Sequence, residues 1–314
     1  MSLTTEKTAP TAKTRFLVLS DTHGLDTLPE IVSHQYADVV LHCGDLTTES
    51  KIEEFKASIR LIQALNAPLK LIIAGNHDFT MDIPMFQKKV AEAQPLEPEL
   101  VQQVYGSHGE ARKLFDEQQD KGIVFVDEGF HSFHLSNGAR LNIYASPFTP
   151  SLGDWGFQYH PDRGHDFRIA NADIVMTHGP PRGILDYTHS GNRAGCSHLF
   201  EAIARSQPRP LMHCFGHIHE GWGAKLVKWR DQVSDKPSHL TDIDNGNSCL
   251  ISTLTAIKGR GKVASLYSTS HCSGDPRPMQ RNAETLFVNA SMQGSEDLPI
   301  QPSWLVDLEL PAAF

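Results

Sequence analysis

The chain has 314 residues, 39% apolar and 21% charged, enough to bury a sizeable core and too mixed in composition for a disordered or fibrous protein. A net charge of −9 is the wrong sign for gripping a nucleic-acid polymer through a broad basic face. No apolar run approaches the roughly 20 residues that span a bilayer. Five cysteines without paired spacing suit a reduced protein, and no apolar segment follows Lys7 and Lys13 as a secretory signal requires, so a cytoplasmic chain is expected.

Residues 1–14 are polar and aperiodic and are expected to form a disordered tail. The short apolar runs at 15–20, 37–42 and 69–74 read as strands buried on both faces. Between the second and third, Ser50-Lys-Ile-Glu53 has the form of a capping box. Ile52, Phe55, Ile59, Ile62 and Leu65 then make one apolar helix face, so the first third predicts βαβ architecture with a parallel sheet. The polar stretch 80–120 reads as helices of a lid or insertion outside the core. Strands are expected at 123–126, 130–135 and 139–145, the last two joined by the hairpin signal Asn137-Gly138. Strands return at 173–177 and 210–215 with a helix over 197–205 between them, and again at 285–289 and 304–309. The segment 231–284 lacks periodicity and is expected as a surface insertion, near the site mouth, in a single domain covering 15–314.

The polar residues with chemistry fall where the apolar runs stop. Asp21 and His23 follow the first run, Asp45 the second, and Asn76, His77 and Asp78 the third. His178 follows the run at 173–177, and His217 and His219 follow that at 210–215. In an open α/β sheet the carboxyl ends of the strands are where ligands bind, so these residues converge on one edge. An oxygen- and imidazole-rich set without thiolate suits Mn, Fe or Zn. Gly44, Gly75 and Gly216 each precede a candidate ligand, where glycine permits a tight turn and close backbone approach. One such histidine alone is more often a hydrogen-bonding residue; the ordered set carries the signal. Cys43 reads as core and not as a soft ligand. Arg182 stands close enough to His178 in sequence to reach a substrate phosphate, and Trp155 and Phe157, beside Asp154, offer faces for stacking on a base or for packing.

DxH, GD, GNHD, H and GHxH in this order resemble the metallophosphoesterase (calcineurin-like phosphoesterase) superfamily. DTHG at 21–24, AGNHDFTMD at 74–82, IYASPFTP at 143–150, WGF at 155–157, THGPPRGILD at 177–186, FGHIHEGWG at 215–223 and VNAS at 288–291 are similar to its MPPED-type members. The resemblance covers residues 15–229 and 285–311 and leaves out 231–284. It implies an α/β fold, a four-layer α/β/β/α sandwich, with a dinuclear centre. Asp21, His23 and His219 would hold one divalent ion, Asn76, His178 and His217 the other, and Asp45 would bridge them. The implied activity is hydrolysis of a small phosphodiester, with cyclic nucleotides as candidates, by a hydroxide bridging the metals. His77 would hydrogen-bond the phosphate or protonate the leaving group, with Asp78 orienting it. The expected partner is a small-molecule phosphoester or nucleotide, and not a membrane. The alternatives are a nucleotide-binding regulatory protein with little turnover and a dinuclear iron enzyme acting on a non-phosphate metabolite. His217 speaks against the first, because some mammalian members carry Gly there.

Overall fold

The short Val-, Leu- and Ile-rich runs form the central strands of two stacked sheets in the computed structural model, which describes residues 10–93, 95, 97–259 and 263–313. In chain order the strands are β1 (Thr11–Leu19), β2 (Val39–His42), β3 (Leu69–Ile72), β4 (Ile123–Phe125), β5 (Gly129–His134), β6 (Arg140–Ser146) and β7 (Ile174–Thr177). They continue as β8 (Met212–Phe215), β9 (Gly223–Lys228), β10 (Cys249–Thr253), β11 (Leu266–Ser270), β12 (Glu284–Asn289) and β13 (Ser303–Pro311). The main helices are α1 (Ile52–Gln63), α2 (Ile83–Glu92), α3 (Pro98–Tyr105), α4 (Glu110–Asp116) and α5 (Ser197–Arg205).

The first sheet runs β11-β13-β1-β2-β3-β4 and the second β10-β9-β12-β8-β7-β6-β5. Side chains alternate along each strand, so every central strand feeds two cores. Phe16, Val18, Leu41 and Leu71 of the first sheet meet Leu141, Ile143, Met176 and Leu286 of the second in the inter-sheet core. The opposite face of the first sheet, with Leu17, Leu19, Val40 and Ile72, packs on Phe55, Ile59 and Ile62 of α1 and Phe115 of α4. The outer face of the second, with Val175, Phe215 and Phe287, packs on Leu199, Phe200 and Ile203 of α5. Three cores separate four layers, and the fold is the α/β/β/α sandwich. Each large apolar side chain buried this way contributes about 1.5–3 kcal/mol relative to exposure.

β1, β2 and β3 are mutually parallel, as are β6, β7 and β8, so their C-terminal loops open on common edges of the two sheets. Several boundaries differ from the sequence reading. β1 starts at Thr11 and pairs Thr11–Thr14 with Pro311–Leu308, so the expected tail loses its last residues to a strand, while residues 1–9 lie outside the described ones. The cap of α1 sits one residue later, where the Glu54 carboxylate accepts the Lys51 backbone N–H at 3.0 Å. Ser50, at φ 61°, turns its hydroxyl to Thr80 instead, 2.9 Å away. Within 80–120, α4 is core and not lid, since Ala111 and Phe115 are buried in the outer core. The segment 231–284 is more than a loop. It adds β10 to the edge of the second sheet and β11 to the edge of the first, and Ile257 between them enters the inter-sheet core. Among the described residues no helix is long and apolar enough to cross a membrane.

Candidate metal centre

The loops after β1, β2, β3, β7 and β8 are laced together by their own backbones. Asp21 N–H donates to Gly44 O at 2.9 Å and His23 N–H to Asp45 O at 3.1 Å. His77 N–H donates to Asp45 Oδ1 at 2.8 Å. His217 N–H, from the second sheet, donates to both Asp21 carboxylate oxygens at 3.1 Å. Asp21, His23, Asp45 and His217 all hold left-handed backbone conformations, with φ of 54°, 44°, 51° and 67°. Such positions disfavour a side chain by about 1–3 kcal/mol each and persist where the surroundings fix them.

The imidazoles are aimed by carbonyls. His23 Nδ1 lies 3.0 Å from Thr47 O, His178 Nδ1 2.9 Å from Cys43 O, and His77 Nδ1 2.7 Å from Thr48 O. A carbonyl only accepts, so Nδ1 carries the proton and, in the neutral ring, Nε2 presents a lone pair. His178 Nε2 lies 3.3 Å from Asp45 Oδ2 and 2.9 Å from Asn76 Oδ1, and His219 Nε2 lies 3.4 Å from Asp21 Oδ1. His23 Nε2 is buried without a hydrogen-bond partner among the described residues, 3.9 Å from Asp45 Oδ2.

Ligand atoms of Asp21, His23 and His219 lie within 4.8 Å of one another, as do those of Asp45, His178 and His217, and those of His23, Asp45 and His77. With Asn76 on His178, the structure brings all seven candidate ligands together with His77. An orphaned Nε2 beside two buried carboxylates is a donor set that divalent cations fit. Two glycines make the crowding possible. A Cβ on Gly216 would stand 1.9 Å from Asp21 Oδ2, and one on Gly75 2.3 Å from Asp45 Oδ1. Only glycine fits at either position.

Burial opposes ionisation of Asp21, but its hydrogen bond to His219 and the charges of His219, His178 and His23 hold it well below the carboxylate range. Burial likewise opposes Asp45, yet His178 holds it down to about 2. Burial disfavours the His178 cation, and Asp45 and Asp21 overcome that and raise it to about 9. Burial, with repulsion from His178, takes His217 down to about 4. His42 and His213 are buried on the hydroxyls of Thr22 and Thr177, and burial pushes them to about 4 and about 3; they are packed, neutral histidines.

The expected pairing of Asp78 with His77 needs correction. The Asp78 carboxylate accepts from Gly75 N at 2.8 Å, Leu46 N at 3.1 Å, Thr47 N at 3.0 Å and Thr47 Oγ1 at 2.7 Å. It ties the loop after β2 to the loop after β3. The His77 ring is held instead by the Thr48 carbonyl and by Trp155, whose ring lies 4.3 Å away at 34°. Of the two readings open for Phe157, packing is the one with contacts: its ring meets Phe148 at 5.9 Å, and its N–H donates to Asp82 at 2.8 Å. Arg182 is exposed on the loop after His178. Cys43 serves the site through its carbonyl, while its side chain belongs to the inter-sheet core. The carbonyls of Thr47 and Thr48 have no sequence signal, since every residue carries one.

The calcineurin-like phosphoesterase family profile matches residues 14–221. The chain belongs to that family. Human metallophosphoesterase domain-containing protein 1 is 31% identical over 222 residues, 68% of this chain and 63% of that protein. A UPF0046 protein of Caenorhabditis elegans is 30% identical over 224 residues, 67% of this chain and 52% of that protein. A protein named probable rhamnogalacturonate lyase C, from Emericella nidulans, is 31% identical over 217 residues, 68% of this chain but 18% of that protein. The chain thus spans less than two thirds of each of these relatives. The likeness places it with the MPPED-type members of the calcineurin-like phosphoesterase family.

Proposed function

We propose that the chain is a dinuclear metal-dependent phosphodiesterase acting on small phosphodiesters, cyclic nucleotides included. The observation that carries this is the pair of ligand clusters, one around Asp21 and one around Asp45, linked through His23, whose buried Nε2 has no hydrogen-bond partner among the described residues. Asp21, His23 and His219 would hold one divalent ion, Asn76, His178 and His217 the second, and Asp45 both; Mn, Fe and Zn all suit the set. Bound there, such ions neutralise phosphoryl oxygens and acidify water at neutral pH. Because that positive charge is local, a chain of net charge −9 can accept an anion at this edge.

His77 stands at the rim, half-buried, with Nδ1 committed to Thr48 and its ring against Trp155. When the ring is protonated on both nitrogens, that leaves Nε2–H to donate to a phosphoryl oxygen or to give its proton to the leaving oxygen. Asp78 supports this at one remove, by fixing the loop whose His77 N–H orients the Asp45 carboxylate. Five cysteines, an odd number, support a reducing compartment, the cytoplasm. The test is elemental analysis after reconstitution with Mn²⁺, paired with rates on bis(p-nitrophenyl) phosphate and p-nitrophenyl phosphate. Two equivalents and a faster diester reaction are expected. A ceiling of one equivalent, or a preference for the monoester, overturns the reading.

A further inference from the structure

A cavity of about 520 Å³ opens beside Trp155, lined mostly by the excursion between β3 and β4 together with Glu49 and Trp155. Its walls include Phe79, Phe86, Val101, Tyr105 and Trp155, with Lys89 among them. The rings are set at angles around it: Phe79 lies 5.9 Å from Tyr105, 6.4 Å from Phe86 and 6.2 Å from Trp155, centroid to centroid. Lys89 Nζ stands 5.0 Å from the Phe79 ring and 5.1 Å from that of Trp155, a cation on two aromatic faces.

The cavity is pinned to the metal centre. Gly156 N–H donates to Asn76 O at 3.0 Å, and a Cβ on Gly156 would stand 2.7 Å from Phe79 Cα. The segment carrying Trp155 is therefore clamped between a candidate ligand and the cavity wall. Aromatic surface left open beside the candidate ligands, with Lys89 and the carboxylates of Glu49 and Glu92 in its lining, is the composition of a small-molecule site. The volume also falls in the range such sites occupy.

We propose that this cavity receives the organic group of the phosphoester on the His77 side, and that the group is a planar aromatic one; this rests on the phosphodiesterase reading above. Trp155 is then shared, one part of its ring against His77 and the rest facing the substrate. Val101 and Tyr105 of α3 are specificity residues that touch neither the candidate ligands nor His77.

Binding of two inert phosphonates to the Mn²⁺-loaded protein tests this. 4-Nitrobenzylphosphonate and methylphosphonate share the anionic group and differ in the aromatic one. The nitroaryl group also quenches tryptophan fluorescence, and of the four tryptophans Trp222, Trp229 and Trp304 are at most 2% exposed, so the response reports Trp155. The native protein should bind the aromatic ligand about tenfold or more tightly than the methyl one, the scale of one stacking contact. Val101→Phe, which fills the cavity, and Tyr105→Ala, which removes a wall, should each bring the preference within about twofold and abolish the quenching. Methylphosphonate affinity and metal content should stay unchanged. A preference retained in both variants, or absent in the native protein, overturns the proposal, even if diesters are hydrolysed. A protein inert towards every phosphoester that still loses preference and quenching in both variants refutes the phosphodiesterase reading and leaves the aromatic cavity standing. A dimer that dissociates on Val101→Phe assigns the cavity to a second copy and overturns the proposal.

Discussion

Gly216→Ala perturbs the centre without removing a ligand. Gly216 does not hold a left-handed φ, so a methyl group there meets a problem of space alone. The added carbon would stand 1.9 Å from Asp21 Oδ2, 2.3 Å from Ser20 Oγ and 2.7 Å from Ser20 Cβ. Real Cβ contacts essentially never fall below 3.0 Å, so the Asp21 carboxylate must withdraw by roughly 1.1 Å. Metal–ligand distances tolerate about 0.2 Å, so that withdrawal takes Asp21 out of the first ion's reach. The expected cost is on the order of 10–100-fold or more in affinity at that ion, with about 1–3 kcal/mol of overpacking strain. Gly75→Ala should do more, because its Cβ would stand 2.3 Å from Asp45 N and Oδ1 and 2.7 Å from His178 Cε1. It displaces the carboxylate assigned to both ions. Gly246→Ala is the control, since its nearest contact is an ordinary 3.5 Å to Asp244 Oδ1. Equilibrium dialysis against Mn²⁺ at a concentration that saturates the native protein should give two equivalents for the native chain and Gly246→Ala, one for Gly216→Ala, and less than one for Gly75→Ala. A folded Gly216→Ala protein holding two equivalents at native affinity refutes Asp21 as a ligand in this geometry.

His77→Ala should keep its metals and lose about 10²–10⁴ in rate on a diester with a poor leaving group, with a smaller loss on a nitrophenyl ester. Equal losses on both would show that His77 moves no proton. Asp78→Ala removes an acceptor of four hydrogen bonds between two loops, so it should lower the melting temperature and metal affinity and slow both esters alike. Metal uptake at pH 7 should release protons from His178, which Asp45 and Asp21 hold at about 9 against burial, and from His219, raised against burial by its hydrogen bond to Asp21, whereas His217, at about 4, has none to give. Calorimetry in buffers of different ionisation enthalpy reads this, and an enthalpy independent of buffer refutes it. The same shift predicts the metal-free protein's pH profile. His178 is raised above its unfolded value of about 6.5, so its stabilisation is complete below that pH and fades as pH climbs through about 9. Phe115→Ala should cost about 3–5 kcal/mol in denaturant unfolding if α4 belongs to the outer core, and a loss under about 1 kcal/mol would return it to a lid.

What could be read from the sequence is what period and type determine. Residues 39–41 and 71–74 are apolar on consecutive positions, as a strand buried on both faces requires, and the runs that hold them contain β2 and β3. The helix over 197–205 carries apolar residues on one face, and α5 spans Ser197–Arg205. β11 escaped because Leu-Tyr-Ser-Thr-Ser has little apolar content; edge pairing with β13 places it there. β9 escaped for a similar reason, with Gly223, Lys225 and Lys228 interrupting the pattern. The candidate ligands were readable because each ends a strand. The misassignment of Asp78 has a different origin. Adjacency to His77 suggested a side-chain pair, but the turn Gly75-Asn76-His77-Asp78 folds its carboxylate back onto the N–H groups of Gly75, Leu46 and Thr47. Backbone donors are invisible in a one-letter string.

The same invisibility explains why glycine stands where it does in the motifs. Gly44, at φ 97°, is followed by Asp45 at φ 51°, so two consecutive left-handed residues form the turn after β2. That turn aims the Asp45 carboxylate at the His77 N–H and at His178 together. After β8, His217 at φ 67° points its own N–H at both oxygens of Asp21. In each case a backbone donor takes up part of a carboxylate's capacity and sets its plane, leaving the remaining lone pairs to face the imidazoles. Left-handed non-glycine residues cost about 1–3 kcal/mol each, so four of them would be selected against in an ordinary loop. They are tolerated here because the cross-loop hydrogen bonds exist only in that conformation. Backbone donors from neighbouring loops thus orient the two carboxylates that face the candidate ligand histidines.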